Sequence, residues 1–431
     1  MLKITLEKNK SLERHLEAAT KYFAKLVEEA SSHGWARVWA YPRLDAMMTG
    51  AALSSVLMSL GVRTAFKASL DPPPGVSMPT VLVGYSNIPY GSPQVEATLV
   101  AISQKIEGPP PPNALYLEGD GSTGALAGLI LLSLGGIYPR REALSLLLAS
   151  LYYGGKMDKL GRLYGLDQTF VSKVSESEAL GELDVITSLK AYNPHLMATC
   201  SSIAATVNPY YPSLTGNPEE CLRTLADAGI ERLASQRLVD MGEEDLKLVA
   251  KTVISRVQDE LEENAEIEVA DYVGGLMISL NNPLGDYRHL ADSVLHAVEA
   301  YHSLEPLLGA SLDLDNDGPI LSTLLIESAE RYAEIIEKGK LRRLKIMPWL
   351  RVYHVEGVEE HSPTLVWKAL VLTGKIPSES IIAVSGGEED VYEVSSIQIE
   401  EALGSGEARK LRNIKALEGD GLYLRLRRRE S

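Results

Sequence analysis

Positive charge is what this sequence is short of: 42 Lys and Arg stand against 58 Asp and Glu, a formal net charge of −16 over 431 residues. A surface built to coat duplex DNA needs cations in excess over its contact area, so this balance argues against one. Cysteine is scarcer still. Cys200 and Cys221 are the only two, too few for a disulfide scaffold or a zinc ribbon, and they are expected as buried thiols in a reducing compartment. No run approaches the roughly 18 uncharged apolar residues that signal a membrane span. The N-terminal stretch MLKITLEKNKSLERHLEAATKYF is too charged for a signal peptide. The expected location is cytoplasmic and nucleoid-associated. A Gly-rich phosphate loop ending in Lys-Ser/Thr is also missing, which removes the commonest ATPase signature.

What is present is a large apolar fraction, 45% of residues, enough to bury more than one core. Charge is unevenly shared: residues 331–431 hold 17 Lys and Arg against 16 Asp and Glu, leaving a net −17 for residues 1–330. That asymmetry permits a basic site late in the chain and suggests basic protein partners for the rest. Ser11 opens a helical pattern through Leu12, Leu16, Phe23, Leu26 and Val27, closed by His33-Gly34. Arg37–Tyr41 then reads as a strand ended by Pro42, followed by the turn Arg43-Leu44-Asp45-Ala46 and a small-residue helix Met47–Leu60. Short apolar runs at Thr80–Val83, Thr98–Ile102 and Ala114–Leu117 alternate with loops and helical stretches. The fold class is therefore α/β, with a parallel sheet covered on both faces. In such sheets ligands sit beyond the carboxyl ends of the strands. Glu243–Glu263 reads as a long charged amphipathic connector helix. Strand, helix and strand patterns at Arg351–Val355, Pro363–Thr373, Ile381–Ser385 and Tyr392–Ile397 mark a further domain.

Two local patterns fall short of metal sites. Asp313, Asp315, Asp317 and Gly318 imitate the start of a calcium loop, but the position of its closing carboxylate is Leu324, so a polar turn is expected. His289, His296 and His302 share one helical segment without the i, i+4 spacing of two helical zinc ligands, and are expected as surface or capping histidines.

The order and spacing of several phrases resemble the DHH phosphoesterases, especially the archaeal RecJ-like proteins, across nearly the whole chain. Val38-Trp39-Ala40-Tyr41-Pro42-Arg43-Leu44-Asp45-Ala46 is similar to the family's first motif, a strand followed by D-x-D and a small-residue helix. Tyr152 to Gly165, YYGGKMDKLGRLYG, is similar to the fourth, in which a Gly pair precedes an aspartate ligand. The resemblance implies a DHH lobe over 1–230, a helical connector region over 231–340 and a smaller α/β DHH-associated domain over 341–431. It also implies two-metal phosphodiester hydrolysis, in which paired divalent ions activate water and stabilise the displaced oxygen. Carried over residue by residue, the ligands have mostly gone. Arg43 stands for the first aspartate, while Asp45 and Asp158 are kept; Gly84 follows the second strand where an aspartate is due, and Ser103-Gln104-Lys105 replaces Asp-His-His. Two carboxylates cannot hold two divalent ions, so no metal or other cofactor is expected. Arg43 is expected to hydrogen-bond Asp45 or Asp158 instead, assisted by Lys105.

In the last domain the family grips nucleic acid with a Ser-x-Arg phrase and a Gly-Gly-Gly-His loop. Here Ser395-Ser396-Ile397 and Gly404-Ser405-Gly406-Glu407 take their places, removing a bidentate phosphate donor and adding a negative charge. Lys340, Arg342, Arg343 and Lys345 are candidate contacts to single-stranded DNA, in a stretch that reads equally well as a solvated helix end. The joint pattern resembles the cell-division-cycle protein of the replicative helicase, an inactivated RecJ. It implies a non-catalytic scaffold that binds the GINS complex, MCM through it, and single-stranded DNA as a further candidate ligand. The alternative is a divergent metal-dependent DHH exonuclease or small phosphodiesterase.

Overall fold

Six parallel strands form the sheet on which the first half of the chain is built. In chain order the elements are β1 (Leu2–Leu6), α1 (Leu12–His33), β2 (Trp35–Ala40), α2 (Leu44–Ser59), β3 (Arg63–Ala68), β4 (Thr80–Val83), β5 (Leu99–Ser103), β6 (Ala114–Gly119), α3 (Thr123–Ser133), α4 (Arg141–Gly154) and α5 (Gly165–Glu176). The sheet order is β1-β6-β5-β4-β2-β3, with every neighbouring pair parallel. Strands β4 and β5 are buried at every residue, as a parallel sheet covered on both faces requires. α2 and α3 have almost no polar face because both are buried nearly end to end. Small residues let them pack closely: a Cβ at Gly50 would lie 2.7 Å from the Phe66 ring, and one at Gly128 would overlap the ring of Phe170.

This computed structural model describes residues 2–9, 11–90, 94–134, 139–158, 161–177, 180–181, 183–261, 265, 267–279, 286–347, 349–386, 391–404, 406–413 and 417–427. The chain divides into two units, one of Met1–Asp158, Leu163–Leu183 and Leu307–Leu314, the other of the remaining segments. The second unit's chain runs through β7 (Leu183–Leu189), α6 (Thr199–Ala205), α7 (Pro218–Asp227), α8 (Glu243–Asp259), α9 (Val269–Tyr272) and β8 (Val273–Ser279). It continues with α10 (Tyr287–Ala300); after α11 (Glu305–Leu312), most of which belongs to the first unit, come α12 (Leu314–Glu327) and α13 (Ala329–Lys338). The last elements are β9 (Leu341–Met347), β10 (Leu350–Val355), α14 (Pro363–Leu372), β11 (Ser380–Ser385), β12 (Val391–Ser395), α15 (Ser396–Leu403), α16 (Glu407–Asn413) and β13 (Tyr423–Arg427). The final strands make a mixed sheet ordered β13-β12-β11-β10-β9, and β7 pairs with β8. Among the described residues no helix is long and apolar enough to cross a membrane.

Several expectations are corrected here. Cys200 and Cys221 are bonded to each other, their Cα atoms 5.4 Å apart, because α6 and α7 run side by side at a separation a disulfide can span. The stretch around Asp313, Asp315 and Asp317 is helical from Leu314 onward and absorbs Pro319. Asp315 and Asp317 lie in its first turn, where negative charge favours the helix dipole. His289 and His296 are not at the surface. They are seven residues apart on α10, a helix buried along nearly its whole length. His302 is exposed and stacks on Tyr423 at 4.0 Å. The basic stretch read as a helix end is mostly strand β9, at the edge of its sheet.

Burial holds the two inward histidines neutral. Desolvation, with Arg288 beside it, pushes His289 down to about 3; desolvation, with His361 nearby, pushes His296 down to about 4. The folded state therefore refuses protons that the unfolded chain accepts below its ordinary pKa of about 6.5. Stability present above that pH is lost as pH falls toward 4. Between pH 7 and pH 5 each histidine is expected to remove about 2 kcal/mol, whereas Glu299, whose pKa burial raises, acts in the opposite sense. Urea unfolding at the two pH values is the measurement. His296→Gln should cut the pH-dependent loss by about 2 kcal/mol; an unchanged difference would refute the assignment.

Candidate functional site

The carboxyl ends of β2, β4, β5 and β6 converge on Asp45. β2 stops at Ala40 because Pro42 cannot continue it, and the turn through Arg43 places Asp45 in the first turn of α2. Its carboxylate is 3% exposed. Arg43 lies across it in a two-point pair: Nε donates to Oδ1 at 3.0 Å and Nη2 to Oδ2 at 2.8 Å. Thr123, in the first turn of α3 after β6, donates from Oγ1 to the same Oδ2 at 3.0 Å. Thr49 binds the Asp45 carbonyl at 2.7 Å and lies 3.2 Å from the Thr123 hydroxyl. The arginine–aspartate bond expected from the sequence is thus present, with Asp45 as the partner.

Two glycines fix the shape around that pair. Gly154, at the end of α4, lies against the carboxylate so closely that a Cβ there would be 2.5 Å from Oδ2. Gly84 follows β4 with φ +82°, and a Cβ built on it would be 2.7 Å from the Cβ of Ala46. Position 84 therefore disfavours any side chain, an aspartate included. Ser103 is buried at the end of β5, and Gln104 donates its amide to the Gly154 carbonyl at 3.2 Å. Lys105 is exposed and makes no ion pair among the described residues, so it does not assist Arg43. Asp158 is exposed as well. A retained aspartate, Asp45, and a substituted arginine, Arg43, have been brought together.

Sequence reasoning missed Asp167, a fully buried carboxylate on α5. Its Oδ1 accepts from the Ser122 amide at 2.9 Å and the Ser122 hydroxyl at 2.6 Å, and its Oδ2 accepts from the Lys156 amide at 2.9 Å. Desolvation raises its pKa despite those donors. Ser122 also caps α3, so Asp167 ties that helix start to the segment after α4. Lys156 pairs in turn with Asp120. The available signal was the Gly-Asp-Gly-Ser phrase at 119–122, which closes β6 and opens a helix.

The divalent ions that a DHH lobe implies do not fit these residues. Both oxygens of Asp45 already accept from a guanidinium, whose fixed positive charge would oppose a cation. Gly84 has no room for a ligand. Among the described residues no group of three or more His, Cys, Asp or Glu side chains could hold a metal ion.

Ser395 is buried: it caps α15 and donates to Glu299, a buried carboxylate that also accepts from Ser362 and from the Thr364 amide at 3.1 Å and hydroxyl at 2.6 Å. Ile397 is fully buried in the first turn of α15, where a continuing strand was expected. Gly404 and Gly406 have φ of +104° and +88°. The Gly406 amide donates to Glu400 at 2.6 Å, and Glu407 pairs with Lys410 in α16. Arg342 donates to the Tyr392 hydroxyl at 2.7 Å, whereas Lys340 and Arg343 are exposed. The side chain of Lys345 lies outside the described residues.

Removing Arg43 leaves a nearly buried carboxylate with the Thr123 hydroxyl as its remaining side-chain donor here. Arg43→Ala is expected to destabilise by about 3 kcal/mol, since an uncompensated buried charge is more costly than the pair is favourable. Equilibrium urea unfolding measures it. A loss under about 1 kcal/mol would mean that solvent screens the pair.

No family model matches the sequence, and no curated protein matches it. Solved structures do. CDC45 from Entamoeba histolytica superposes with a TM-score of 0.57 at 11% identity, covering 99% of this chain and 97% of the other. RecJ from Thermus thermophilus in complex with manganese gives a TM-score of 0.40 at 14% identity, covering 96% of this chain and 52% of that one. A manganese-bound exonuclease RecJ gives 0.39 at 13%, covering 96% and 90%. The chain therefore has a fold similar to that of CDC45.

Proposed function

We propose that this chain is a non-catalytic scaffold of the replicative helicase, binding the GINS complex and, through it, MCM. The single observation that carries the reading is the Arg43–Asp45 pair at the carboxyl ends of the parallel strands, where a phosphoesterase of this architecture would hold its metals. A fixed guanidinium in that place makes the cluster self-neutralised, and Gly84 leaves no room to rebuild a ligand. CDC45-like folding over the full chain agrees with a replication role. The vestigial metal positions are then Arg43, Asp45, Gly84, Ser103, Gln104, Lys105 and Asp158. The acidic balance of residues 1–330 suits partners with basic surfaces, where complementarity speeds encounter and sets register. Single-stranded DNA is a weaker candidate, supported by exposed Arg343 and by Trp349, 59% exposed beside strand β9.

Two measurements test this. The purified protein is expected to carry no stoichiometric manganese, magnesium or zinc by elemental analysis, and to leave single-stranded DNA and short RNA intact. Two equivalents of manganese with nuclease activity abolished by Asp45→Ala would overturn the reading. Mixed with GINS from the same host, the chain is expected to co-elute in size exclusion at micromolar concentration; separate elution would remove the scaffold role.

A further inference from the structure

In the second unit, α6, the turn before α7 and the junction of α12 with α13 line an open surface pit of about 300 Å³. That volume lies at the lower end for binding pockets and suits one or two side chains rather than a cofactor. Its walls are mostly small or apolar, with Met197, Ala204, Ala205, Gly216 and Ile326 among them. Two carboxylates, Glu327 and Glu330, also line it. Both are exposed, and neither makes an ion pair among the described residues.

The pit is rigid for reasons written into its backbone. Cys200 on α6 is bonded to Cys221 on α7, which ties one wall to its neighbour. Gly216, at φ +75°, approaches the start of α13 so closely that a Cβ would be 2.5 Å from the Glu330 Cα. Only glycine permits that approach. A cavity held by backbone contact and a covalent link exists before any partner arrives, which lowers the ordering cost of filling it.

We propose that this pit is a docking site for a basic segment of a protein partner. The segment inserts one aliphatic or aromatic side chain among the small residues and sets a lysine or arginine against Glu327 and Glu330. Charge complementarity selects this occupant: an acidic segment would meet two unneutralised carboxylates, and an uncharged one would leave them without counter-charge. The proposal rests on the scaffold reading, for which it names one contact surface and the chemistry of what fills it.

The test uses the full-length protein and a fluorescein-labelled peptide, KRAFLKR, in anisotropy titrations. Saturable binding is expected, and it should weaken at least about tenfold in Ser201→Trp, where an exposed pit residue is enlarged to fill the space, and in the double variant Glu327→Lys with Glu330→Lys. Far-UV circular dichroism and the thermal midpoint of both variants should match the parent, since all three positions are exposed. The peptides KRAGGKR and EEAFLEE should not bind. Unaltered affinity in either variant, equal binding of the acidic peptide, or no binding to the parent would each overturn the proposal. Size exclusion of the same variants with GINS separates the two claims. Co-elution of the parent with failure of the peptide sinks the pit alone; peptide capture in the pit without co-elution sinks the GINS assignment alone.

Discussion

A guanidinium laid across a nearly buried carboxylate organises the carboxyl end of the parallel sheet. Asp45 is placed there by topology: β2 ends at a proline, the chain turns, and α2 begins. A lone carboxylate at that depth would be costly, because it leaves water without a compensating charge. Arg43 supplies the charge from two residues away, and Thr123 adds a donor from the next helix. The cluster therefore joins α2 to α3, and the absence of a side chain at Gly154 lets α4 close over it. A divalent ion could play the same electrostatic part, but it would need more carboxylates around it than these strands provide.

The second unit meets the same difficulty by other means. Glu299 ends a helix with no exposed face, and the side-chain donors that reach it are hydroxyls from Ser362, Thr364 and Ser395. Two of these, Ser362 and Ser395, also cap helices. A neutral donor stabilises an anion less than a guanidinium does, which is consistent with desolvation raising the pKa of Glu299. The arrangement links α10 to the starts of α14 and α15, so Ser395 is occupied by structure at a position where the DHH-associated phrase would have it touch nucleic acid.

The four inner strands of the parallel sheet were legible because they are short, mostly apolar and followed by turn residues: Thr80–Val83 is a strand over the same four residues in sequence pattern and structure; the edge strands β1 and β3, which carry Lys3, Arg63 and Lys67, were not. The Arg43–Asp45 pair was legible for a related reason, since two residues flanking one tight turn have few places to go. Other features were hidden by long-range partnership. Nothing local distinguishes Asp167 from any helical aspartate; its burial follows from the Ser122 loop 45 residues earlier. The inward histidines of α10 were misread because a helix buried on all sides has no polar face to mark its orientation. Cys200 and Cys221 looked like separate thiols because sequence cannot show that their helices lie side by side. Strand β9 was ambiguous because charged residues at a sheet edge, which discourage unwanted pairing, also suit a solvated helix end.

The same physics explains why a cluster of this kind holds together without metal ions. In a two-metal enzyme, carboxylates that repel one another are held together by ions, so the site depends on what it binds. Here Gly84 removes one potential source of repulsion and Arg43 converts another into attraction, leaving a cluster that is neutral by its own residues. Such a site has no electrostatic demand for a ligand. Glu327 and Glu330 differ: they are exposed beside the pit, make no ion pair among the described residues and are stabilised by water. Charge is thus balanced within the cluster at the carboxyl end of the parallel sheet, whereas at Glu327 and Glu330 it is left to solvent.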